Sequence, residues 1–216
     1  MCQMRPTIRS PMLFLLGIGL AVALSGCESR DESAAPAQSR EIRSDLVPLV
    51  RELPLIPMTE PLVVEFDVPP PGRNSSRELM IGLRVAASDE VDSASASDEI
   101  RRSGLRATVK LMHLDAKSNI TVPLERFETR GFDPSRTVPV GTDGKVPGVW
   151  IGNVDDSSMK EAGLSARGSD YRYLAFASAP TISPGRYLLS LTLHGPIGTA
   201  HRLNPDLVIA YHRRAK

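Results

Sequence analysis

Cysteine is scarce in this sequence of 216 residues, which contains only Cys2 and Cys27. Residues 28–216 have no thiol, so they can form no disulfide and cannot use a cysteine as a nucleophile or a metal ligand. We therefore expect no thiol catalysis and no cysteine metal site. A domain of this length can bury a core of its own without disulfides.

An excess of charge of one sign is also lacking, because 26 Lys and Arg residues balance 25 Asp and Glu residues. Removal of residues 1–26, which contain Arg5 and Arg9 but no acid, changes the net charge from +1 to −1. Nucleic-acid binding requires a clustered basic excess, and the basic patch at residues 212–216 is better explained as a solvated C-terminus. We do not expect nucleic acid as a partner.

The apolar run at residues 13–24 is too short to span a bilayer, which takes about 20 residues. It follows a segment that carries basic residues and no acid, an order typical of a signal peptide. We predict that residues 1–26 are a lipoprotein signal peptide and that Cys27 is lipidated; the alternative is an ordinary cleaved signal followed by an unrelated cysteine. The prediction depends on four residues that resemble a bacterial lipobox: Leu24, Ser25, Gly26 and Cys27.

The predicted anchor indicates a place in the cell envelope. Acyl chains contribute about 0.8 kcal/mol for each buried methylene, and Glu28 in place of an aspartate favours the outer membrane, with the domain facing the periplasm. Residues 27–41 are rich in charge, Ser and Ala, so they cannot offset their own ordering entropy and are predicted as a flexible tether. Residues 42–216 are predicted as a β-sandwich domain.

Apolar and polar residues alternate with a period of two in much of this domain, which is typical of half-buried strands. No segment between these runs has the length and period of a crossover helix, so we predict an all-β fold. The expected architecture is an antiparallel immunoglobulin-like β-sandwich, with a closed barrel as the alternative. The predicted strands are residues 62–68, 79–85, 105–113, 119–125, 171–177, 186–193 and 207–211, with a short eighth at 149–151.

Segments between the predicted strands differ in composition. Residues 69–74 are rich in Pro, Gly and Asn and predict a hairpin-like turn. Residues 88–103 are acidic and then basic, which predicts a mobile loop or a frayed helical turn. Residues 127–149 are rich in Gly and Pro, and loops of such length are often functional or disordered. At most one short helix is predicted, at residues 158–162, where Ser158 and Glu161 have capping-box spacing.

Catalytic motifs are incomplete. Ser157 and Lys160 match the Ser-x-x-Lys of serine β-lactamases, but a Lys-Thr-Gly strand and a good Ser-Asp-Asn match are absent. We attribute the motif to chance at a helix start and predict no catalytic residue. Trp150, the only tryptophan, is assigned to the core.

The four histidines lack the spacing of a helix-borne metal site. His113 falls on the apolar face of its predicted strand and is expected to be a core residue, whereas His194 and His212 fall on polar faces and His201 in a loop. The acids of residues 88–103 lack the ligand spacing of a calcium-binding EF-hand loop. No metal or cofactor is predicted.

A structural signal occurs at residues 183–187, Ser-Pro-Gly-Arg-Tyr, where Gly185 precedes Tyr187 at the start of an alternating strand. This is similar to the tyrosine corner of immunoglobulin-like sandwiches, in which the hydroxyl pins the preceding connection. The signal concerns the fold and carries no information about activity.

Residues 184–187, Pro-Gly-Arg-Tyr, lead into an alternating strand, and residues 207–212, Leu-Val-Ile-Ala-Tyr-His, precede a terminal lysine. They resemble the end of proteobacterial lipoproteins of the domain-of-unknown-function family 5625, whose opening strands would correspond to residues 62–68 and 79–85. The resemblance implies a β-sandwich lipoprotein of the periplasmic face. Some lipoproteins of this kind accompany secreted toxins as immunity partners, so a toxin is an implied partner.

The sequence thus predicts a non-enzymatic protein-binding module attached to the membrane through the lipid on Cys27. A protein partner is expected, with an immunity role against a secreted antibacterial toxin as the more specific hypothesis. A structural or assembly lipoprotein of the cell envelope is the alternative. A serine hydrolase is the third and least favoured hypothesis.

Overall fold

Two antiparallel β-sheets pack face to face in the computed structural model, which describes residues 45–128, 136–165, 168–195 and 198–215. The described residues lie within one compact unit. The helices are α1 (Ser93–Arg102) and α2 (Asp156–Glu161), with a 3₁₀ helix at Gly198–Leu203. The strands are β1 (Leu49–Glu52), β2 (Leu62–Val68), β3 (Ser75–Ala86), β4 (Arg106–Leu114), β5 (Asn119–Thr121), β6 (Glu125–Glu128), β7 (Arg136–Pro139), β8 (Lys145–Val146), β9 (Trp150–Ile151), β10 (Tyr171–Ala179), β11 (Gly185–His194) and β12 (Asp206–Arg213).

The first sheet has the order β2-β11-β4-β5, with β8 also paired to β4. The second has the order β1-β12-β3-β10-β6-β7, with β9 also paired to β10. An antiparallel β-sandwich is therefore confirmed, and the chain forms two separate sheets where the alternative was a closed barrel. The short strand expected near residues 149–151 is present as β9.

The core lies between the sheets because alternate residues of each strand face inward. In β2 the inward set is Val64, Phe66 and Val68, each at most 2% exposed, while Val63 is 53% exposed. Burial of one such side chain contributes about 1.5–3 kcal/mol. The inward residues of the other long strands include Val109, Leu111, Leu189, Leu191, Leu79, Ile81, Leu83, Leu174, Phe176, Leu207 and Ile209.

The second sheet is covered on both of its faces. In β12, Leu207 and Ile209 belong to the core between the sheets, whereas Val208 and Ala210 belong to a second buried cluster with Met159 of α2. Residues 152–164 therefore lie over the outer face of this sheet. This cover explains why β10 and β12 are apolar on both faces.

The connection between β2 and β3 is not the hairpin that its composition predicted. β2 pairs with β11 in the first sheet and β3 pairs with β10 and β12 in the second, so residues 69–74 carry the chain from one sheet to the other. Three consecutive prolines have no N–H groups with which to extend the β2 ladder. The hydroxyl of Tyr211 donates to the carbonyl oxygen of Pro69 at 2.6 Å and fixes the start of the connection.

The strand predicted at residues 119–125 is divided between the sheets. β5 pairs with β4 in the first sheet, and β6 pairs with β7 and β10 in the second. The break contains Pro123, which cannot donate to a ladder. On its two sides, the amide of Val122 donates to the carbonyl of Leu111, and the amide of Val140 donates to the carbonyl of Leu124.

The helix predicted at residues 158–162 is present as α2 but begins earlier. Its N-cap is Asp155, whose carboxylate accepts from the amide of Ser157 at 3.0 Å and from the hydroxyl of Ser75 at 2.7 Å. Ser158 is thus not the cap, because the buried aspartate three residues before it occupies that position. Gly163, with φ +71°, follows the helix and supplies its expected end.

Candidate functional site

A regular helix, α1, forms where residues 88–103 were predicted to be a loop or a frayed turn. Asp92 caps it by accepting from the amides of Ala94 and Ser95 at 3.0 and 2.9 Å. Hydrogen bonds from Ser95 hold the pKa of Asp92 below its usual value. The prediction was wrong because the buried face carries mainly small side chains, which give a weak hydrophobic signal: Ser93, Ala96, Ser97 and Ile100.

Residues 127–149 are likewise more ordered than a long loop. β6 and β7 form an antiparallel pair within the second sheet, and β8 adds to β4 in the first sheet. Between β7 and β8, the amide of Gly144 donates to the carbonyl of Gly141 at 2.8 Å and closes a turn. Residues 129–135 lie outside the described ranges. These strands escaped prediction because they have only two to four residues each, too few for a clear alternation.

The two segments that stood out in the sequence meet at a cleft. The C-terminal part of α1 contributes one wall, and the residues that enter β9 contribute the other. The cleft has a volume of about 460 Å³ and is open to solvent. We call it the α1–β9 cleft, and its lining residues are Asp98, Arg101, Arg102, Val149 and Trp150.

The α1 wall of the cleft carries more positive than negative charge. Arg101 contacts the Asp98 carboxylate at 3.0 Å, and both side chains are well exposed, at 40% and 52%. Arg102 donates its Nε to the main-chain carbonyl of Asp98 at 3.1 Å, which uses one of its five N–H donors. Exposed pairs such as Arg101 with Asp98 contribute little to stability, so Arg101 can exchange this carboxylate for another.

Trp150 supplies the apolar part of the opposite wall. It pairs with Ala175 of β10 and packs against the core, as predicted, while its half-buried side chain also faces the α1–β9 cleft. The guanidinium carbon of Arg126 lies 5.9 Å from the indole ring centroid, a cation–π distance. Ile151, the next residue, is 68% exposed. Tryptophan and arginine are the residues most enriched at the energetic centres of protein interfaces.

The guanidinium of Arg126 has hydrogen-bond partners for only some of its donors. Its Nη2 donates to the Glu128 carboxylate at 3.4 Å, a long hydrogen bond, while its Nη1 is buried and has no hydrogen-bond partner among the described residues. A buried donor without a partner costs about 1–3 kcal/mol. A positive group therefore lies against Trp150 without a full set of acceptors.

The Ser-x-x-Lys residues have structural contacts and do not form a pair of nucleophile and base. They are on α2, where Ser157 Oγ accepts from Asn74 at 3.2 Å and Ser158 Oγ donates to the carbonyl of Asp155 at 2.8 Å. Lys160 is exposed. These hydroxyls organise the start of a helix that covers the second sheet.

A second polar cluster was not predicted. Ser178 and His212 approach to 2.9 Å through the hydroxyl and Nε2, and the Glu78 carboxylate lies 3.4 Å from the same nitrogen. In a Ser-His-acid triad the serine and the acid contact different ring nitrogens, and Ser178 is only 4% exposed. This arrangement therefore fits a structural cluster better than a catalytic one.

His212 is not the solvated residue that its position near the basic C-terminus predicted. Its side chain is 13% exposed, because residues 152–164 cover this face of the sheet, as the bridge from Val154 to His212 shows. Burial lowers the pKa of His212, while the nearby Glu78 carboxylate opposes this effect. Single-sequence patterns could not reveal the cluster because its members are separated by 34 or more positions along the chain.

The remaining histidines are dispersed. His113 faces the core side, as predicted, with its ring centroid 4.7 Å from that of Tyr187. His194 is exposed and shares a hydrogen bond of 2.8 Å with Thr108. His201 lies in the 3₁₀ helix. In the part of the chain that the structure describes, no group of three or more His, Cys, Asp or Glu side chains is placed to hold a metal ion.

Cys27, the predicted lipidation site, lies outside the described residues. Within the described ranges, no helix combines the length and the apolar character needed to cross a membrane. Comparison with protein-family models, curated proteins and solved structures gives no match. The resemblance to the domain-of-unknown-function family 5625 stays a prediction.

Proposed function

We propose that this protein is a membrane-anchored lipoprotein of the outer membrane that faces the periplasm and binds a protein partner without catalysis. The lipobox ending at Cys27 and the polar tether at residues 27–41 support the anchoring part of the proposal. A flexible tether confines the domain near the membrane and raises its effective concentration toward anything else held there.

The α1–β9 cleft is the observation that carries the binding part of the proposal. It joins two segments that are separate in the sequence and presents Arg101, Arg102 and Trp150 together. A stable complex needs about 800 Å² from each partner, so the cleft would be the centre of a larger contact.

Within this function, we propose an immunity role against a secreted antibacterial toxin, which the family resemblance supports. An assembly or structural role in the envelope is the competing proposal. The genes next to this one discriminate between them, because a neighbouring secreted effector favours immunity and an envelope operon favours assembly.

Capture from envelope extracts, run beside a survival assay against toxin-bearing neighbouring cells, tests the proposal. We expect charge reversal at the cleft, Arg101→Glu with Arg102→Glu, to abolish capture and protection while the domain stays folded, with an unfolding midpoint that is lowered because two acids replace the cations at the end of α1. The matched control, Ser157→Ala with Lys160→Ala, should retain both. The proposal fails if the cleft variant behaves like the wild type, or if Ser157→Ala or Ser178→Ala eliminates a measured hydrolysis.

A further inference from the structure

We infer that the α1–β9 cleft binds an acidic peptide segment that also carries apolar side chains, presented by the partner protein. The inference rests on the proposed function, since it names the chemistry of the partner at the same cleft. Carboxylates would contact Arg101 and Arg102, and apolar side chains would cover Trp150.

Charge complementarity supports the acidic part of the ligand. Arg101 and Arg102 line the cleft against one acid, Asp98, whose carboxylate is held by Arg101 at 3.0 Å. Guanidinium groups bind carboxylates through paired, charge-assisted hydrogen bonds. A ligand carboxylate can therefore use the donors that Arg102 does not spend on the main chain.

The carbonyl groups at the end of α1 offer little repulsion to such an anion. The hydroxyl of Ser103 donates to the carbonyl of Ile100 at 2.7 Å, and Arg102 donates to that of Asp98. The negative end of the helix dipole is thus already matched by hydrogen bonds and by two cations in the last turn.

The opposite wall supports the apolar part of the ligand. Trp150 is half-buried and supplies the apolar surface open to the cleft, whereas Val149, at 7% exposure, lines the cleft but has little surface left to cover. Arg126 lies against the indole, and its guanidinium is 3.4 Å from the Glu128 carboxylate. A purely charged ligand would leave this surface exposed to water, which favours a segment of mixed acidic and apolar character.

The chain provides its own reporter, because Trp150 is its only tryptophan and lines the cleft. The probe is a short acetylated peptide of alternating Glu and Leu, added to the full lipidated chain in detergent. We expect a saturable change in tryptophan emission that weakens in about 1 M NaCl, where the Debye length is about 3 Å. Peptides with Gln or Lys in place of Glu should give no saturable change.

Variants locate the site. Arg102→Gln should weaken binding of the Glu-Leu peptide by about tenfold, the loss expected for one charge-assisted interaction. Arg77→Gln, which changes an exposed arginine at the start of β3, should leave the affinity unchanged. Arg77→Gln should keep the wild-type unfolding midpoint, and Arg102→Gln should lower the free energy of unfolding by no more than about 1 kcal/mol.

Three results would overturn the inference: equal binding of the Gln peptide, equal affinity for the Arg102→Gln variant, or self-association of the chain that depends on Arg102. In each case, loss of partner capture by the charge-reversed cleft would leave the proposed function standing. Conversely, peptide binding without any effect of the cleft on capture would contradict the proposed function and not the ligand chemistry.

Discussion

The hydroxyl of Tyr187 donates to the carbonyl oxygen of Ser183 at 2.7 Å, four residues earlier in the connection between β10 and β11. This is the tyrosine corner that the sequence predicted. The ring is buried, at 2% exposure, between Phe66 at 6.1 Å and His113 at 4.7 Å from centroid to centroid. Burial raises the pKa of Tyr187, so the hydroxyl keeps its proton as a donor.

Tyr187→Phe should lower the free energy of unfolding by about 0.5–1.5 kcal/mol, the net contribution of a typical hydrogen bond, because it removes the donor to the Ser183 carbonyl. Urea unfolding of the domain from residue 41 onward measures this change. Tyr171→Phe is the matched control, since Tyr171 contacts Arg84 through its ring face, at 4.6 Å from the guanidinium carbon to the ring centroid. Equal midpoints for the wild type and Tyr187→Phe would show that the corner contributes nothing.

Gly82 marks the closest approach of two strands in the second sheet. A Cβ atom at this position would lie 2.1 Å from the carbonyl oxygen of Leu174 in β10. The register of β10 against β3 shifts between Ala175 and Ala177, which is typical of a β-bulge. The clash is with main-chain atoms of a buried strand, so a side-chain rotation cannot relieve it.

Gly82→Ala should therefore destabilise the domain by at least about 2 kcal/mol, in the range of overpacked cores. Gly148→Ala is the control, because a Cβ there meets nothing within 4 Å and the change should stay within about 0.5 kcal/mol. Thermal and urea unfolding measure both. If the two variants have the same stability, β3 and β10 do not approach each other as described.

The strands of the sandwich could be predicted wherever one face of the strand is buried and the other is exposed to solvent. Residues 62–68 coincide with β2 because the alternation of Val64 and Phe66 with Val63 and Glu65 fixes which face turns inward. The turn composition of residues 69–74 indicated where the chain turns, but not which sheet it joins. That choice depends on pairing with β11 and β12, more than 100 positions away.

The cleft could be predicted only in part. Composition singled out residues 88–103 and 127–149 as unusual, yet it assigned the first to a mobile loop or a frayed helical turn and the second to a long loop. α1 and the start of β9 line the same cleft because β10 pairs with β9 and packs against α1. No local sequence pattern contains this long-range arrangement. Trp150 illustrates the limit, since one side chain both packs on the core and lines the cleft.

His212 makes the stability of the domain depend on pH. Its folded pKa is lowered by burial, so the folded state binds a proton less readily than the unfolded chain, whose histidines titrate near about 6.5. The contribution to the free energy of unfolding is therefore present above that pH and is lost as the pH falls through the lower folded pKa. Protonation would also alter the contact with Ser178.

We expect His212→Gln to flatten the dependence of the unfolding midpoint on pH between about 7.5 and 5, the window set by a histidine. Urea unfolding at several pH values measures the slope. His194→Gln, at an exposed residue bonded to Thr108, should keep the wild-type slope. A slope that persists unchanged in His212→Gln would assign the pH dependence to other groups.

The prediction of lipidation concerns the two cysteines, which differ in sequence context. Cys27 follows Leu24, Ser25 and Gly26, whereas Cys2 lies before the apolar run. If the thiol of Cys27 receives the lipid, Cys27→Ser should abolish labelling by a fatty acid supplied to growing cells and leave an unprocessed precursor. Cys2→Ser is the matched control and should keep both the label and the processing. Fatty-acid label that remains on the Cys27→Ser variant would contradict the lipoprotein assignment, because no other cysteine follows residue 27 in the chain.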